Sequence, residues 1–297
     1  MKRIVCSLAI LSVTIFACSL STATPTTTQP AVTEASTITE TLAASQTATT
    51  TGTPTATGQS TATATLGNEG PLFPPNNVTC YGLSIYIDPA LASSTTCELI
   101  PASTEEMDIH PQYTNLTLQG YPLQDKFFPA TISVFPVQQF AELQPDFIPG
   151  LVTDLQALTA GGLPGNFGLP FLPIFHAAQT FHANYTLFPF MNGNGIRFLT
   201  LYAQFTAPVN NHDLFYTYQG LTPDGQYWVS AILPINLPIL PANADNPPGG
   251  VSWEQFSNNY DAYILDMVTQ LEAQTPDSFI PSLPFLDGMI STIIIQP

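Results

Sequence analysis

Residues 214–233 read LFYTYQGLTPDGQYWVSAIL, two runs rich in aromatic and β-branched residues around Thr222-Pro223-Asp224-Gly225. Pro223 pre-sets φ for the first corner of a type I turn, and Gly225 accepts the left-handed position that follows. Such runs around such a turn predict a β-hairpin. A turn that pairs Thr222 with Gln226 fixes the register. Phe215, Leu221, Tyr227, Val229, Ala231 and Leu233 then share one face. Tyr216, Tyr218, Trp228 and Ile232 share the other. Large rigid rings in a row on a sheet stack sugars or peptides, which makes Tyr216, Tyr218 and Trp228 candidate ligand-binding residues. The competing expectation is that a helix covers them.

Working outward, 185–190 and 197–205 flank Asn192-Gly193-Asn194-Gly195 and predict a second hairpin. Upstream, 81–87 alternates with Leu83, Ile85 and Ile87 on one side, and 114–119 and 130–137 are further strands. Phe140, Leu143, Phe147, Leu151, Leu155 and Leu158 recur at helical spacing, with Pro145 and Pro149 expected to divide the helix and Gly161-Gly162 to end it. The following loop carries Leu163, Phe167, Leu169, Phe171, Leu172 and Phe175. It either folds onto the core or forms an apolar lip for a ligand. Downstream, 252–274 predicts an amphipathic helix opened by a Ser252/Gln255 capping box. A helical turn at 286–290 and a last strand at 292–295 close the chain. This order is that of an α+β fold, a mainly antiparallel sheet with helices packed on it. The element order, with its apolar close from Leu286-Asp287 to Ile295, resembles the PsbP/Mog1-like sandwich. The resemblance implies a single sheet with helices on both faces and carries no activity with it.

At the other end, Lys2 and Arg3 precede an uncharged run from Ile4 to Ala17, the pattern of a signal peptide at 1–17. Ile15-Phe16-Ala17-Cys18-Ser19 resembles the lipobox of bacterial lipoproteins, which implies lipidation of Cys18 after cleavage. The other reading is a secretory signal cut near Ala23. In 19–65, 19 of the 47 residues are Thr and none is aromatic, too little apolar surface to offset the entropy of ordering. Residues 18–69 are therefore expected to form a stalk with a span of about 40 Å, and 70–297 a single domain. With Cys6 in the signal and Cys18 as the lipid site, Cys80 and Cys97 remain to form a disulfide in an exported chain.

Across 297 residues, 4 Lys+Arg face 21 Asp+Glu, and the net charge is −17. Such a chain cannot neutralise phosphates, so nucleic acid is excluded as a partner, and a polybasic attachment to anionic lipid with it. Any membrane contact falls to the N-terminal lipid. Few cationic groups also means little positive self-repulsion in acid, which suits acidic surroundings.

No motif for a catalytic nucleophile, a phosphate cradle or any cofactor occurs. His110, His176, His182 and His212 have no metal-chelating spacing. Glu105, Glu106 and Asp108 are expected in a solvated loop. Arg197 is a further candidate: one of two cations left beyond the signal, it either pairs with a carboxylate or anchors an anionic ligand. The sequence thus predicts an exported, lipid-anchored protein, extracellular or periplasmic, with a binding or envelope-assembly role. The ligand classes that suit it are a carbohydrate, a peptide or an envelope protein. The alternative is a secreted hydrolase whose Ser, His and acid come together only in space.

Overall fold

The computed structural model describes residues 74–163 and 168–296. The expected signal peptide at 1–17, Cys18, the expected stalk at 18–69 and Phe167 lie outside them. The fold is α+β. Seven strands form one antiparallel sheet: β1 (Ser94–Ile100), β2 (Tyr113–Gln119), β3 (Thr131–Pro136), β4 (Ala183–Phe190), β5 (Gly193–Thr200), β6 (Phe215–Leu221) and β7 (Tyr227–Pro234). Two meanders, β1-β2-β3 and β4-β5-β6-β7, join where β3 pairs with β7, giving the order β1-β2-β3-β7-β6-β5-β4. Helices α1 (Val137–Leu143) and α2 (Ile148–Thr159) connect the meanders and cover one face. Helices α3 (Trp253–Asn258), α4 (Tyr260–Glu272) and α5 (Leu283–Ser291) follow the sheet. α4, α5 and a small sheet of Val78–Cys80, Leu83–Ile85 and Ile294–Ile295 cover the opposite face.

Both faces are therefore dry. Phe135, Phe198, Phe215 and Trp228 meet α1 and α2, whereas Leu116, Ile132, Tyr216, Val229 and Leu233 meet α4 and α5. Each large apolar side chain so buried contributes about 1.5–3 kcal/mol.

The central hairpin forms, but one residue out of the expected register. Thr222 pairs with Tyr227, not Gln226: its N–H donates to the Tyr227 carbonyl at 3.1 Å, and its hydroxyl oxygen accepts from the Tyr227 N–H at 3.1 Å. The cause is Asp224, whose carboxylate accepts from the Thr222 hydroxyl at 2.6 Å and from the Gln226 N–H at 3.0 Å. That bond removes Gln226 from the ladder and lengthens the turn by one residue. A slip of one exchanges the faces of one strand. Trp228 and Ile232 therefore lie with Phe215 and Leu221, and Tyr216 and Tyr218 lie on the other face with Val229, Ala231 and Leu233.

Other elements also shift. The second hairpin turns at Met191-Asn192, so Gly193 and Gly195 belong to β5 and not to the turn. A Cβ on Gly195 would lie 2.5 Å from the Tyr218 ring and 2.5 Å from the Gln219 carbonyl. The strand thus needs glycine there to admit the ring. Pro149 sits in the first turn of α2, where its missing N–H costs nothing, so the helical run breaks only at 144–147. The 252–274 helix keeps its capping box but is interrupted at Asn259. β1 has no apolar alternation, being exposed along most of its length, and its sequence does not announce a strand. Cys80 and Cys97 form a disulfide, Cα to Cα 5.6 Å, which ties the small sheet to β1.

Candidate functional site

β3 and β6 begin at the same end of the sheet at which β5 and β7 finish. Four connecting segments meet there: 120–130, 173–182, 201–214 and 235–251. They enclose an open groove of about 780 Å³, within the size range of small-molecule sites. Phe127, Phe128, Phe175, Tyr202 and Phe205 supply its apolar walls.

The rings are set by contact with one another and with the core. Phe128 and Phe175 stack at 4.7 Å, Phe175 meets Tyr202 edge-on at 5.0 Å, and Phe127 meets Phe128 edge-on at 4.7 Å. Behind them, Phe128 and Tyr202 pack against Phe215 of β6. Phe127 and Phe205 stand at the rim, 63% and 68% exposed. Isolated exposed phenylalanines are ordinary, but two of them at the mouth of an aromatic hollow are not.

The polar side of the groove is built by the loop before β6. The Asn210 side-chain oxygen accepts from the N–H groups of His212 and Asp213, and its amide donates to the Asp213 carboxylate at 2.8 Å. Asn211 donates to the carbonyls of Leu237 and Leu240. These bonds hold His212 and Asp213 at the groove, the imidazole Nδ1 lying 2.5 Å from an Asp213 oxygen. Behind the loop, the Lys126 ammonium donates to the carbonyls of Asn211 and Ile235 and to the Asn236 side chain. Burial lowers its pKa to about 8, against the opposing pull of Asp213. Lys126 thus braces the wall and does not line the groove.

The structure does not bring the sequence-predicted ligand residues to this place. Tyr216, Tyr218 and Trp228 are fully buried, and Trp228 is on the other face of the sheet from the two tyrosines. The Trp228 indole N–H donates to Gln219 at 2.7 Å, the Tyr218 hydroxyl to the Phe188 carbonyl, and the Tyr216 hydroxyl to Asp287. Helices and loops cover them because both faces of the sheet are needed to bury the core. Arg197 is buried in β5. Its guanidinium donates to the Asn184 carbonyl at 2.8 Å and to Thr186, and it faces Asp287 of α5 at 3.4 Å. Asp287 occupies the position an anionic ligand would need.

Of the remaining candidates, Glu106, Asp108, His110 and His176 line a small cavity of about 110 Å³, in which the His110 Nε2 lies 3.5 Å from an Asp108 oxygen. Glu105, Glu106 and Asp108 are exposed. His176 bonds the Met107 carbonyl, His110 the Pro111 carbonyl, and burial pulls His182 down against the opposing charge of Glu272. Among the described residues, no group of three His, Cys, Asp or Glu could hold a metal ion, and no helix is long and apolar enough to cross a membrane. In the 161–175 loop, Leu169, Phe171 and Leu172 fold onto the core while Phe175 reaches the groove. The sequence allows both outcomes, a loop folded onto the core and an apolar lip. The paired Phe127-Phe128 gives no periodic signal, and Tyr202 and Phe205 fall in the strand expected at 197–205, which ends at Thr200 and leaves both in the 201–214 segment.

No family model, curated protein or solved structure matches the chain.

Proposed function

We propose that this is an exported, lipid-anchored binding protein, and that the aromatic groove is where it holds its ligand. The groove carries the proposal: five aromatic rings surround an open hollow of about 780 Å³ on a sheet whose two faces are otherwise covered. Residues 1–17 as signal, Cys18 as lipid site and 18–69 as stalk would hold the domain clear of the outer face of a membrane. The layering supports the resemblance to the PsbP/Mog1-like sandwich and adds no activity to it. Replacing Cys18 by Ala should release the protein from the membrane fraction. Unchanged fractionation would sink the anchor.

A second reading, a hydrolase, draws on one observation. His212 and Asp213 form the base-and-orienter half of a catalytic set at the groove wall. Among the described residues that line the groove there is no Ser, Thr or Cys for such a base to activate. Ester, glycoside and peptide substrates, tested with the wild type and His212→Ala, decide between the two. Turnover abolished by that one change would establish the enzyme.

A further inference from the structure

The charge around the groove is as one-sided as its walls are aromatic. Among the described residues, Asp213 and Asp245 are its only charged side chains apart from the histidines His176 and His212, and no Lys or Arg lines it. Glu34, Glu40 and Glu69 precede the described residues, so 18 Asp and Glu there face one Lys and one Arg. Both cations are committed elsewhere. Arg197 is paired with Asp287 on the opposite face of the sheet, and Lys126 is held by three oxygens behind the loop. An anion entering the groove meets the exposed carboxylate of Asp245, whereas Asp213 is already answered by His212 and by the charge of Lys126. A neutral apolar guest fills the floor and leaves Asp245 unanswered. A cation with an apolar body satisfies both, because ring faces carry negative potential and attract ammonium groups.

We propose that the groove is a site for organic cations, an alkylated ammonium group attached to an apolar body of about the size of a ring. This rests on the groove's being the ligand site. Phe127 meets Phe128 at 83° and Phe175 meets Tyr202 at 85°, so ring planes of differing orientation border the groove. Phe127 and Phe205 guard the mouth, and Asp245 is exposed at the lip, where its charge draws cations in. Asp213 supplies the second carboxylate at the wall, while its bonds to His212 and Asn210 hold it in place.

The test is calorimetric titration of the full chain with a phenylpropyl-trimethylammonium ion and with its uncharged isostere, carbon in place of nitrogen. The cation should bind about fivefold more tightly or better. Phe127→Leu keeps apolar bulk but removes a ring, and Asp245→Asn removes a charge; each should lower that ratio. Phe205→Ala should weaken both probes. All three residues are exposed, so the variants leave the core intact. Equal affinity for the two probes overturns the cation proposal and leaves the groove a ligand site. Binding of neither probe overturns the cation proposal and removes the support for the groove itself.

Discussion

Gln219 shows how much a single buried amide can hold. Its oxygen accepts from the Trp228 indole at 2.7 Å and from the Leu172 N–H at 3.0 Å. Its nitrogen donates to Thr217 at 2.8 Å, to Ser230 at 3.0 Å and to the Leu172 carbonyl at 3.2 Å. The loop leading to Phe175 is thereby fastened to the middle of the sheet. Gln219→Leu would strand the Trp228 and Leu172 donors in the core, at about 1–3 kcal/mol each. Urea denaturation should show a loss of about 2–5 kcal/mol, and a loss below about 1 kcal/mol would mean that the network is dispensable. Asp224 is the other decisive residue. Composition identified its turn, but the bond from the Gln226 N–H to its carboxylate chose the register. The expected aromatic face failed on that one bond, since a shift of one residue exchanges faces.

Among the elements, those with a periodic apolar signal were legible and those without were not. β2, β3, β6, β7, α2 and α4 were all anticipated within a few residues. β1 was not, because an exposed edge strand needs no apolar alternation. It is tied down instead by Cys97, bonded to Cys80 in the strand Val78–Cys80. Closing that loop, with a sequence separation of 17, is worth about 3 kcal/mol in the chain-entropy account. Cys97→Ser should lower the unfolding free energy by about that amount and abolish the mobility shift on reduction. A variant as stable as the wild type would show that the small sheet holds without the bond.

For the whole molecule, the pH dependence of stability is clearest at Asp287, buried beside Arg197. Burial pushes this carboxyl above 3.8, against the pull of Arg197 and the Tyr216 hydroxyl. The folded state then takes up the proton before the unfolded chain does, so stability rises as the pH falls from the raised value toward 3.8. Above the raised value the same group costs stability. Measured against Asp287→Asn, which cannot titrate, the wild type should therefore gain in melting temperature on acidification toward pH 4. A relative loss would reverse the sign. The sequence by itself determined the α+β class, the cysteine pair and most strands and helices. Each follows from composition, spacing or local turn chemistry. Only the tertiary structure decided which aromatic residues are available. Tyr216, Tyr218 and Trp228 lie on strands whose two faces both build the core. Phe127, Phe128, Phe175, Tyr202 and Phe205 come from separate loops and meet only because antiparallel strands bring those loops to one end of the sheet.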